Sequence, residues 1–76
     1  MALEFQTIEI HDQSDTDGRL VLHDGKLIAV LARLSEDHAE NAGRWFMECS
    51  FGSLSRKEEH FADLDAAESW INQQLA

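Results

Sequence analysis

The segment Gln13-Ser-Asp15-Thr-Asp17-Gly18 spaces its oxygen donors much as a calcium loop does. Asp15, Asp17, Gly18 and Leu20 match the third, fifth, sixth and eighth positions of such a loop. Asp24 falls at the twelfth, where a bidentate carboxylate closes the coordination sphere. Gln13 replaces the usual first Asp, Asp24 is shorter than the usual Glu, and no helices flank the segment. Asp and Gly are also good turn formers, so the segment reads as a polar turn and no metal site is expected. A reactive thiol needs a helix N-terminus or a nearby cation or His to lower its pKa. Cys49 lies mid-strand, in phase with Trp45, Met47 and Phe51, which predicts a buried structural cysteine. His11, His23, His38 and His60 lack metal-ligand spacing such as HxxxH or HExxH. His11 beside Asp12 and His23 beside Asp24 have the chemistry of acid–base pairs, but adjacent residues on a strand point to opposite faces. With no nucleophile elbow and no phosphate-cradling glycine loop, no catalytic residue and no cofactor are expected.

What remains is carboxylate. Fifteen Asp and Glu stand against six Lys and Arg, a formal charge of −9 over 76 residues. Phosphate contact dominates nucleic-acid affinity, so this balance excludes direct nucleic-acid binding and favours a basic, cationic or protein partner. The acids come in bundles: Asp12, Asp15 and Asp17; Glu36, Asp37 and Glu40; Asp63 and Asp65. Where those bundles fall depends on the elements that carry them.

Asp24-Gly25 is the clearest local signal. It separates Arg19–His23 from Lys26–Leu34, and Asp-Gly readily takes the two positive-φ positions of a type I′ hairpin turn. The turn sets a register: His23 opposite Lys26, Leu22 opposite Leu27, Val21 opposite Ile28 and Leu20 opposite Ala29. Alternation then predicts a core face of Leu20, Leu22, Leu27, Ala29 and Leu31. Val21, Ile28 and Val30 take the other face. Residues 35–43 read as a loop, Arg44 to Phe51 as a strand with Trp45 and Met47 on one side and Phe46 on the other, and 52–55 as a turn. Arg56 to Ala62 reads as a polar edge strand. Leu3 to Ile10 reads as a strand whose apolar parity shifts between Phe5 and Ile8, suggesting a bulge.

Asp63 is a good N-cap and Asp65 suits the first turn of a helix. Leu64, Ala67, Trp70, Ile71 and Leu75 then recur at helical spacing, with Trp70 as the expected anchor. The segment Phe61-Ala-Asp-Leu-Asp-Ala-Ala-Glu-Ser-Trp70-Ile71 resembles the strand-to-helix step in the arm-binding domains of tyrosine recombinases. That resemblance implies a helix behind a small sheet. The basic strand residues such domains use on DNA are missing here, so DNA binding is not carried over.

The expected fold is therefore a single α+β domain over 1–76: an antiparallel meander sheet of four to five strands with one C-terminal α-helix packed across one face. Strand alternation sends the 11–18 loop, the 35–43 loop and the helix start to one end, gathering Asp12, Asp15, Asp17, Glu36, Asp37, Glu40, Asp63 and Asp65 into an acidic pole around Arg19, Arg33 and Arg44. Val21, Ile28, Val30 and Phe46 should line the face away from the helix. Two Trp and four Phe in 43% hydrophobic residues exceed a disordered composition. No apolar run approaches the roughly 20 residues of a membrane span, and the start lacks a signal-peptide pattern. A lone cysteine fits a reducing cytoplasm.

These observations predict a non-catalytic protein-interaction or regulatory module in the cytoplasm, with no membrane partner. A homodimer through the open apolar face is the assembly they favour. A nucleic-acid mimic, whose acidic pole occupies a basic groove, is the alternative. A weak divalent-cation site or small enzyme at that pole is the third.

Overall fold

The structure, a computed structural model, describes residues 3–11, 16–54 and 59–75, with only the backbone described at 36–38 and 53. Five antiparallel strands are laid down in sequence order: β1 (Leu3–Glu9), β2 (Asp17–His23), β3 (Lys26–Arg33), β4 (Trp45–Ser50) and β5 (His60–Phe61). A C-terminal helix, α1 (Leu64–Leu75), completes an α+β domain. The expected meander and the single helix are both present. Of the expected strand from Arg56 to Ala62, His60 and Phe61 pair with Phe46 and Trp45, and 56–58 lie outside the described residues.

The Asp24-Gly25 turn forms as its chemistry dictates. Asp24 and Gly25 both take positive φ, 55° and 79°, the pair of left-handed positions that a type I′ turn requires. His23 opposes Lys26 and Leu22 opposes Leu27, as expected. One step further the register slips. Val21 opposes Ala29 rather than Ile28, and Leu20 opposes Val30. Ile28 is an extra residue, bulged toward the core side, where it packs against the buried cluster.

That single insertion reverses the faces deduced for β2. Val21, Ala29 and Leu31 are fully buried, and Trp45, Met47 and Phe61 join them in the core. Leu20, Leu22 and Leu27 go to the opposite face, where Leu27 is 38% exposed. A second shift, beside Val30 and Leu31, lets Met47 oppose Leu31 while Cys49 opposes Val30. Glu48 is the additional residue there, and Cys49 leaves the phase of Trp45 and Met47. It is exposed rather than buried.

β1 carries no bulge. Its pairing with β2 runs unbroken from Leu3↔His23 to Glu9↔Asp17. The parity change is instead a division of labour. Leu3 and Phe5 pack with the core, while Ile8, which pairs with Gly18, lies on the far face.

The helix starts where its cap residue stands. Asp63 Oδ1 accepts a hydrogen bond from the Ala66 N–H at 2.8 Å, and the Asp63 carbonyl accepts from Ala67 N–H. α1 lies against β5 and the short 3-10 segment Gly52–Leu54. Ala67 and Ile71 are completely buried, whereas Trp70 is only half-buried, its ring 5.6 Å from that of Phe61. Ile71 is thus the helix's anchor and Trp70 its flank. Leu54, read as part of a turn, is also fully buried, and its carbonyl accepts a 2.7 Å hydrogen bond from Ser50 Oγ. Truncating a buried Ile costs about 2–5 kcal/mol. Ile71→Ala should lose that much stability in urea unfolding with the slope of the transition unchanged.

Candidate interaction surface

The face turned away from α1 is built in rows across the sheet. Ile8, Gly18, Ala32, Phe46 and His60 pair in succession through all five strands. The next row is Gln6, Leu20, Val30 and Cys49, and the third is Glu4, Leu22 and Leu27. Its centre is therefore aliphatic and uncharged, with Glu4 and Gln6 along one edge and His60 along the other. The Phe46 and His60 rings meet at 5.1 Å with their planes tilted by 52°.

Of the apolar residues predicted for this face, Val30 and Phe46 are on it, both half-buried. Val21 is not; it is fully buried among the core residues. Ile28 is not either, because the bulge turns it to the core side. Leu20, Leu22, Leu27 and Cys49 take their places. The sequence carries no signal for this exchange beyond the parity of β3, which looks regular on either side of the extra residue.

One corner is closed. Gly18 and Ala32 are both buried, and the Ile10 side chain folds over Gly18. A Cβ at Gly18 would stand 2.5 Å from Ile10 Cδ1, 2.7 Å from its Cγ1 and 3.2 Å from Ile8 Cγ2. The Ile10 N–H donates to the Thr16 carbonyl at 2.8 Å, continuing the β1–β2 ladder. Beside it lies a depression of about 320 Å3 lined by Glu9, Ile10, His11 and Thr16.

The topology also places the three acid-rich segments at one end of the sheet. β1 ends there, β2 begins there, the 3-10 segment Glu36–Asn41 joins β3 to β4 there, and α1 starts there. Asp12 and Asp15 lie outside the described residues, and the side chains of Glu36 and Asp37 are not described. Two of the remaining acids have structural tasks. Asp17 Oδ1 holds Arg19 Nη1 at 2.7 Å, while Asp63 caps the helix. Glu40 and Asp65 are exposed.

Arg19 also donates to the Gly18 carbonyl and lies over the Trp45 ring, 5.0 Å from its centroid. That stack is a cation–π contact at the border of core and pole. A second depression, of about 430 Å3, is lined by Thr16, Asp17, Arg33, Leu34, Ser35, Ala42 and Gly43. It holds charges of both signs, so this end is mixed as well as acidic.

The calcium-like spacing does not become a loop. Asp17 and Gly18 are already strand residues, and β2 is extended up to the Asp24 turn. At about 3.3 Å per residue, Asp24 lies at the far end of the sheet from Asp17. Among the described residues, no three His, Cys, Asp or Glu side chains converge as a metal's ligands would. His23 Nε2 does approach Asp24 Oδ2, at 3.9 Å, although strand alternation had separated the two. No helix of the described residues is long and apolar enough to cross a membrane.

No protein family, curated protein or solved structure matches this chain.

Overpacking a tight site costs about 1–3 kcal/mol. Gly18→Ala should lose stability in that range by thermal unfolding, because the new methyl meets Ile10. Adding Ile10→Ala should recover part of the loss, so the double variant will be more stable than the two single effects summed.

Proposed function

We propose that this protein is a non-catalytic protein-interaction or regulatory module that recruits its partner on the sheet face opposite α1. The observation that carries the reading is the aliphatic centre of that face, Leu20, Leu22, Leu27 and Val30, flanked by Phe46. The one helix lies on the other side. An exposed apolar patch rimmed by polar groups is a common mark of a protein interface.

The −9 charge adds a preference. A partner whose apolar patch is bordered by Lys or Arg would be steered by the acidic end. Contacts to Leu22, Leu27, Val30 and Phe46 would then hold it. Cys49, exposed and the sole cysteine, suits a reducing compartment such as the cytoplasm.

Affinity capture from the native host with wild type, Leu27→Glu and Val30→Thr tests this. The reading expects one recurrent protein, held by wild type and by Glu68→Gln on the exposed side of α1. Both sheet-face variants should lose it while keeping the wild-type circular dichroism spectrum. A partner retained by both sheet-face variants would contradict the assignment. So would an interaction that is indifferent to salt between low and physiological ionic strength, since steering by exposed charge is screened.

A further inference from the structure

The edge of the sheet at β1 is a second surface, distinct from the apolar face. β1 is an outer strand of the sheet, with β2 as its neighbour on one side. Ile10 N–H donates to the carbonyl of Thr16, which stands opposite it in the continued register. In an antiparallel ladder the backbone groups of alternate residues turn toward the same neighbour. Ile8, Gln6 and Glu4 therefore direct their N–H and C=O groups at β2. Leu3, Phe5, Thr7 and Glu9 direct theirs outward, and among the described residues no strand receives them.

Natural edges are usually blunted by charged side chains, Lys above all, by Pro, by a bulge or by brevity. The opposite edge uses brevity, since β5 is two residues long. β1 uses only the first of these, through Glu4 and Glu9. It is seven residues long, contains no Pro, Lys or Arg, and runs without a register shift. The helix offers it little cover, lying against β5 and Gly52–Leu54 on the other side of the sheet. Phe5 stays half-buried and residues 6–9 are exposed.

We infer that β1 pairs antiparallel with β1 of a second copy, joining two sheets into one ten-stranded sheet about a two-fold axis at Gln6. Two features of this chain select a second copy as the occupant. First, the register centred on Gln6 brings no like charges together. Leu3 meets Glu9 of the other copy, Glu4 meets Ile8 and Phe5 meets Thr7, so no carboxylate opposes another. Second, the acidic segments lie at one end of each sheet, the end where β1 finishes. Antiparallel pairing sends the two acidic ends to opposite ends of the assembly, while parallel pairing would bring them together. The two-fold axis stands perpendicular to the sheet, so both apolar faces emerge on the same side as one continuous surface.

Sedimentation of the full chain, with variants, tests the pairing. Wild type should show twice the 8.6 kDa chain mass. Thr7→Pro removes an outward N–H that the β1–β2 ladder does not use. It should return the mass to that of one chain with an unchanged circular dichroism spectrum. On a Cys49→Ser background, Gln6→Cys should cross-link readily under mild oxidation. The two copies of residue 6 form a non-hydrogen-bonded pair with Cα atoms about 4.5 Å apart, within disulfide reach. Glu4→Cys should not, because its two copies are offset by four residues, about 13 Å.

A wild-type monomer at all concentrations up to about 1 mM would overturn the inference. A folded Thr7→Pro dimer, or equal cross-linking at positions 4 and 6, would do the same. If Thr7→Pro fails to fold, the cross-linking pair decides. A dimer abolished by Leu27→Glu but not by Thr7→Pro would move the contact from the edge to the face.

Discussion

Everything distinctive about this sheet depends on the residue inserted at Ile28. A hairpin with a type I′ turn leaves its strands in strict register, so each pair of facing side chains inherits the face of the pair before it. One extra residue breaks that inheritance. Below the break Leu22 faces Leu27 as the turn demands; above it Val21 faces Ala29 and Arg19 faces Leu31. Because the strand period is two, the slip exchanges the faces of all that follows. Val21, Ala29 and Leu31 join Ile71 and Ala67 in one buried cluster. The leucines of β2 are left on the side without a helix.

The consequences reach both ends of the sheet. The same slip brings Arg19 to the core side, where it lies over Trp45 and holds Asp17. It sets Gly18 beside Ala32 on the far face, where the missing side chain admits Ile10. Small residues at that corner and large aliphatics at the centre give the open face its shape. Ser50, bonded to the Leu54 carbonyl, helps fix the turn that returns the chain to β5 and α1. Core, pole and open face are therefore one geometric problem with one solution.

Much of this was legible in the residues. Asp24-Gly25 fixed the hairpin, Asp63 fixed the helix start, and the helical spacing of Ala67 and Ile71 fixed its inward side, because each rests on local chemistry. The meander followed from strand alternation. The bulges were not legible. A bulge is chosen by packing between distant segments, and the run Leu27-Ile28-Ala29-Val30-Leu31 is apolar at every position, so either parity looks sound. That one ambiguity misplaced Val21 and Ile28 on the open face and hid Leu20, Leu22 and Leu27 from it. The shift at Glu48 likewise moved Cys49 to the surface. Leu54 escaped because a single apolar residue in a turn has no period to reveal it.

The proposed interaction surface, the aliphatic rows on the face away from the helix, rests on which β2 and β3 methyls face water. Paramagnetic relaxation of methyl NMR signals by a soluble gadolinium chelate measures this directly. The bulged register predicts strong relaxation for Leu20, Leu22, Leu27 and Val30, and weak relaxation for Val21 and Leu31. Strong relaxation at Val21 with protection of Leu20 and Leu22 would mean an unbulged hairpin, and would contradict it.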